Sequence, residues 1–205
     1  VENAAHELQT PLAVCMNKLE LLSEHPDCTE DQLKEIAGLH QALNGIIRLN
    51  KSLLLLSRID NKQFPETRDI CLNHLIHKIL EGINDIYERK ALHLRVSEKE
   101  SLVCTMNESL ATTLITNLIK NAYVHNYEKG DIGITISRRM LTIANTGIDK
   151  TLDKELLFAR FASQSKQQES TGLGLAIVKS IVDLYSIRID YQYANGMHTF
   201  TLLFY

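Results

Sequence analysis

The sequence predicts two domains: an antiparallel helical hairpin that pairs with a second copy as a dimeric four-helix bundle, then an α/β sandwich of the α+β class. Three observations carry this. Apolar residues recur every three or four positions through the first sixty residues. A polar stretch holding Pro65 interrupts that pattern. Beyond it, helical periods alternate with short segments of period two. The expected boundaries are 1–62 for the hairpin, 63–68 for a linker and 69–205 for the sandwich.

In the first helix Leu8, Leu12, Cys15, Leu19 and Leu22 form one apolar stripe, which Pro26 and Asp27 end. Thr29 caps the second helix, with Gln32 completing a capping box. Leu33, Ile36, His40, Leu43, Ile47, Asn50 and Leu54 continue the seam. Leu53–Leu56 puts leucine nearly all round the helix, so its end should be buried on more than one side. Two helices alone bury too little surface, which is why a dimer is expected. Residues 70–72 then read as a strand and 73–88 as a helix with Leu75, Ile76, Ile79, Leu80, Ile83 and Ile86 inward. Residues 92–96 and 102–106 are strand-like, and 108–125 are helical. Residues 132–137 and 141–144 make a hairpin across Arg138, Arg139 and Met140, the arginines being a solvated turn. The polar stretch 163–171 has no apolar period. Residues 173–185 are helical, and 187–193 and 198–204 are antiparallel strands joined at Asn195-Gly196.

The 205 residues carry a net charge of −3, so no general attraction to nucleic acid or anionic membrane is expected. Apolar runs such as Leu53–Leu56 fall far short of the ~20 residues that span a bilayer, and no signal peptide is visible. The chain opens on Val1, already within a helical pattern, as a fragment of a longer protein would. Cys15, Cys28, Cys71 and Cys104 are scattered and fit free thiols in a reducing compartment. His74 and His77, three apart on a helix, have no carboxylate or cysteine partner in view and do not suggest a metal site.

Residues 6–12 read HELQTPL. His6 lies just off the apolar stripe, Thr10 shares its face one turn on, and Glu7 is a carboxylate placed to accept an imidazole proton. Pro11 cannot donate to the carbonyl of Glu7, which weakens the helix there. Alone, these describe an exposed histidine beside a kink. Asn117 and Asn121, four apart in NLIKNAYVHN, place two amides on one helix face, and amide oxygens can ligate a hard cation. Asn145 and Gly147 follow a strand. LFARF, residues 157–161, reads as a short amphipathic turn burying Phe158 and Phe161. Gly172, Leu173 and Gly174 open a helix whose free amides and dipole can meet phosphate.

Taken in order, these motifs resemble the H, N, first glycine, F and second glycine boxes of sensor histidine kinases in two-component signalling. The resemblance covers nearly the whole chain, and its second part resembles the GHKL ATPases. It implies that His6 is the phosphoacceptor, Glu7 the general base, and Thr10 the residue that positions water for dephosphorylating the partner. It implies ATP held by Asn117, Asn121, Asn145, Gly147, Gly172, Leu173 and Gly174, with Mg²⁺ on Asn121. The chain departs from the family at four positions. Asn145 stands where aspartate is usual, and Asp149 replaces a glycine. Val124 and Ser163 stand where cations are common, and Lys120, Lys166 or His125 are the candidates to reach phosphate instead. The implied function is autophosphorylation of His6 and transfer to an aspartate of a response-regulator receiver domain. The implied assembly is a homodimer, the cytoplasmic portion of a bacterial inner-membrane sensor, with no membrane contact in this fragment. A response-regulator phosphatase with weak kinase activity, and a nucleotide-sensing scaffold without catalysis, are the alternatives.

Overall fold

A computed structural model describes residues 2–161 and 172–205, with side chains from residue 7 onward except that of Asn84. The expected polar stretch, with Ser163 and Lys166, lies outside the described residues. Helices α1 (Glu2–Ser23) and α2 (Glu30–Asp60) form the antiparallel hairpin. The capping box at Thr29 is formed: Gln32 N–H donates to Thr29 Oγ1 at 3.3 Å, and Thr29 N–H to Gln32 Oε1 at 2.9 Å. Helix α1 runs through Pro11 without a break. Leu8, Val14, Leu21, Leu22, Leu33, Leu39 and Ile46 remain exposed along the hairpin. Its lower end differs, because Leu56 and Ile59 enter the core of the following α/β part. There the leucine run is buried by α2 packing on the last long helix, as four adjacent leucines require.

Strand β1 (Arg68–Cys71) pairs antiparallel with β3 (Val103–Met106) in a separate ribbon. The main sheet has the order β2 (His93–Glu98), β4 (Asp131–Ser137), β5 (Met140–Thr146), β7 (Met197–Leu203), β6 (Arg188–Ala194). Only β2–β4 is parallel. Helices α3 (Leu72–Tyr87), α4 (Glu108–Val124) and α6 (Gly174–Leu184) supply the apolar side chains that meet this sheet, and α5 (Lys154–Leu157) is a single turn. Period-two alternation sets the inner face. One row, Val96–Ile134–Ile143–Phe200–Tyr191, crosses all five strands. Thr135, Thr142, Thr199 and Thr201 take the outer face.

Four expectations need correction. Ile86 is 71% exposed, because the stripe Ile76, Leu80, Ile83 continues to Tyr87, which packs on Tyr123 at 5.4 Å. Phe161 is 59% exposed; its φ of 65° turns the chain outward, and only Phe158 packs on the core. Met140 opens β5, leaving Arg138-Arg139 as a two-residue turn. His77 does have a carboxylate partner, Glu98, brought from β2. Asn73 also donates to Glu98, at 2.6 Å, and these bonds hold its carboxyl below the usual range. The four cysteines are free, and burial pushes the Cys104 thiol up to about 11.

Candidate functional site

The residues expected to hold nucleotide come from three elements that converge at one end of the sheet. Helix α4 has a long buried face (Leu110, Leu114, Leu118, Ala122), which presents Asn117 and Asn121 half-buried at its edge. Asn117 Nδ2 donates to the Thr113 carbonyl at 2.8 Å, which commits its donor and leaves Oδ1 as an acceptor. That oxygen faces the start of α6: a Cβ on Gly174 would lie 2.9 Å from it. Any larger residue at 174 would have to displace that amide, so glycine is what lets Asn117 lie against the start of α6. Gly172 has a φ of 67°, and Leu173 is fully buried at the N-cap, where its side chain makes no capping bond. Among the described residues no side chain caps the first turn of α6, which lies next to the amide oxygen of Asn117. Phe161 N–H donates to the Gly172 carbonyl at 3.1 Å and joins the two ends of the chain that flank 162–171.

Asn145 and Gly147 lie at the end of β5 and just beyond it. Asn145 is buried, and its Nδ2 donates to the Thr146 carbonyl at 2.8 Å. Gly147 is enclosed: an added Cβ would be 3.0 Å from both the His125 carbonyl and His198 Cδ2. His125 caps α4 with its N–H on the Asn121 carbonyl at 3.1 Å. Surrounding protein, then Lys90 and His198, hold its imidazole below the usual range, toward the neutral form, though much of the residue meets solvent. Lys120 is exposed beside Asn117 and Asn121. On α1, Glu7 and Thr10 are exposed, and His6 lies on the same helix with its side chain outside the described residues. Gln9, Thr10, Ala13, Val14 and Asn17 line a shallow hollow there.

Several residues that shape this end of the sheet had no motif to mark them. Lys90, in a 3-10 turn (Glu88–Lys90), donates to the carbonyls of Tyr123, Val124 and Asn126 at 2.8–2.9 Å. It caps the C-terminus of α4, and burial lowers its ammonium pKa. Buried Asn126 accepts from Thr146 Oγ1 at 2.6 Å and donates to the Asp131 carbonyl at 3.1 Å, tying α4 to β4 and β5. Asp149 accepts from the Tyr193 hydroxyl. A histidine at an inward position of a period-two strand, His198, was the one visible signal.

Residues 1–62 match the His Kinase A (phospho-acceptor) domain, and residues 106–204 match the histidine kinase-, DNA gyrase B-, and HSP90-like ATPase. The chain is 33% identical over 214 positions to the heme sensor protein HssS of Staphylococcus saprophyticus, covering 100% of this chain and 45% of that protein. It is 33% identical over 211 positions to HssS of Staphylococcus aureus strain Newman, covering 98% and 45%. The chain therefore spans about half the length of these curated relatives. Full-length ShkA, solved in complex with AMPPNP, superposes with a TM-score of 0.75 at 16% identity, over 99% of this chain and 45% of that one. The histidine kinase AdeS of Acinetobacter baumannii does so with 0.66 at 21%, over 96% and 95%. These two share the fold. With a phospho-acceptor hairpin at one end and an ATP-binding sheet at the other, the chain belongs to the sensor histidine kinases, whose general activity is autophosphorylation and phosphotransfer.

Proposed function

We propose that this chain phosphorylates His6 from ATP and passes the phosphoryl group to an aspartate of a separate response-regulator receiver domain. The observation that carries the nucleotide half is the meeting of Asn117 Oδ1 with the glycine-opened N-terminus of α6, where the N-cap residue Leu173 supplies no side-chain cap. Such a place offers free N–H donors to phosphate oxygens and an amide oxygen to a cation or hydroxyl. Asn121, one turn on along the same face, is the proposed Mg²⁺ ligand. Asn145 is the proposed contact to the adenine amino group, with Gly147 bounding the base. When bound, ATP with Mg²⁺ supplies the γ-phosphoryl group, and ADP leaves.

Glu7 takes the proton from the imidazole of His6 as its other ring nitrogen attacks. Residues 1–62 are proposed as the dimerisation and phosphotransfer hairpin, 63–68 as the linker and 69–205 as the catalytic domain. The exposed leucines and isoleucine of the hairpin support a homodimer, since two unpartnered helices leave that stripe in water. The parent protein is proposed to be membrane-anchored with this portion in the cytoplasm; no described helix here is long and apolar enough to cross a bilayer. The test is transfer of labelled phosphate from ATP. His6→Gln should abolish labelling and leave the melting temperature unchanged, and retained label would remove His6 from the role.

A second reading, mainly a regulator phosphatase, draws on Val124 at a usually basic position and on exposed Thr10. It predicts that Thr10→Ala slows loss of phosphate from a phosphorylated regulator at least tenfold, while autophosphorylation by the wild type stays slow at saturating ATP.

A further inference from the structure

The loop after β5 is fastened from the sheet side by residues outside every motif named above. Next to the apolar row lies a second one, Leu94–Ile132–Asn145–His198–Tyr193. Its first two members are apolar and its last three polar, with Asn145 and His198 buried. His198 Nε2 lies 2.8 Å from the Ile148 carbonyl. A carbonyl only accepts, so Nε2 carries a proton, and in the neutral tautomer this leaves Nδ1 as the acceptor. Nδ1 receives the Tyr191 hydroxyl at 2.8 Å, and that oxygen accepts the Leu152 N–H at 3.2 Å. Tyr193 donates its hydroxyl to Asp149 and sets its ring 4.8 Å from that of His198.

Residues 148, 149 and 152 are thus each tied to β6 or β7; the Leu152 side chain also packs on the core, whereas Ile148 is 58% exposed and residues 149–151 lie in solvent. Immediately before them, Gly147 rests on the edge of the same imidazole. Burying a histidine and a tyrosine hydroxyl in a sheet face is costly unless every polar atom is bonded. In the neighbouring row Val96, Ile134, Ile143 and Phe200 fill that face with apolar side chains alone, and only Tyr191 at its end carries a hydroxyl, which reaches across to His198. What these polar residues add is the position of the loop.

We propose that His198 and Tyr191, assisted by Tyr193, are positioning residues for nucleotide binding. They hold residues 147–152 so that Asn145 and Gly147 present a fixed edge to the purine. Tyr193 adds a further restraint through its bond to Asp149. This rests on the reading of Asn145 and Gly147 as base contacts.

The test uses the whole chain with His198→Phe, His198→Gln, Tyr191→Phe and, as an independent check of the base contact, Asn145→Ala. Binding of a non-hydrolysable ATP analogue with Mg²⁺ is measured by calorimetry, together with KM and kcat for autophosphorylation and the melting temperature. His198→Phe and Tyr191→Phe should raise Kd and KM about fivefold to tenfold, with kcat at saturating ATP within about twofold. His198→Gln keeps a donor and an acceptor and should recover most of the affinity. Tyr191→Phe removes one oxygen and no packing volume, so it reads the bond even if His198→Phe folds poorly. Wild-type Kd in His198→Phe and Tyr191→Phe, with weakened binding in Asn145→Ala, overturns the positioning role and leaves the base contact standing. Wild-type Kd in Asn145→Ala overturns the base contact and the proposal with it. A parallel fall in kcat and melting temperature without a change in Kd also overturns it, since that is loss of folded protein.

Discussion

Lys90 shows how one side chain can set a helix end. Helix α4 has no basic residue in its last turn, and its terminal carbonyls would be left without donors. The three bonds from the Lys90 ammonium supply them and place a positive charge at the negative end of the helix dipole. Lys90→Met keeps most of the stem and removes the donors. It should lower unfolding stability by about 2 kcal/mol, read from urea denaturation. Because His125 is the C-cap of the same helix, ATP affinity should fall alongside. Asn117 works by a similar economy of atoms: one hydrogen bond to Thr113 decides which end of its amide faces α6.

Among the elements, the connection from α4 to β4 leaves the least freedom. A Cβ on Gly130 would overlap Asn126 Oδ1 and Thr146 Oγ1, both engaged in the network that joins α4, β4 and β5. Gly130→Ala must therefore displace a buried asparagine or open the network. A loss of about 3 kcal/mol is expected, seen as a lower melting temperature. Substitution at Gly133, where an added Cβ meets nothing within 4 Å, is the matched control. The hairpin β6–β7 is restrained differently, by backbone conformation: Asn195 and Gly196 have φ of 52° and 75°, as a two-residue turn with both central residues left-handed requires.

For the molecule as a whole, the joint between hairpin and sheet matters most. Leu56 and Ile59 belong to α2 yet lie in the same core as Leu114, Ile143 and Ile181. Arg160 reaches Asp60 at 2.9 Å across that joint, and the Arg58 guanidinium sits 4.9 Å over Phe64. Both contacts are solvent-exposed or at the rim and add little energy, so burial holds the joint. Leu56→Ala should cost about 3 kcal/mol by urea denaturation. It should also make residues 61–67, which carry no regular structure, cleaved sooner by a protease.

The sequence by itself determined the order and type of nearly every element, the capping box at Thr29, the turn at Asn195-Gly196 and the ordered motifs. Each depends on near neighbours in the chain: a period, a cap, a positive φ, a short string. It misassigned Ile86 and Phe161, since a stripe's last turn and a single turn's inward face depend on what packs against them. Only the tertiary structure decided how Asn117 meets Gly174, which donors close α4, and that Tyr193 meets Asp149. Those pairs are separated by 33 to 57 residues, and a hydrogen bond at such separation leaves no period or spacing in the chain. Lys90 and Tyr191 could be recognised only once the sheet had brought their partners within reach, and His198 showed in the chain only as a histidine at an inward strand position.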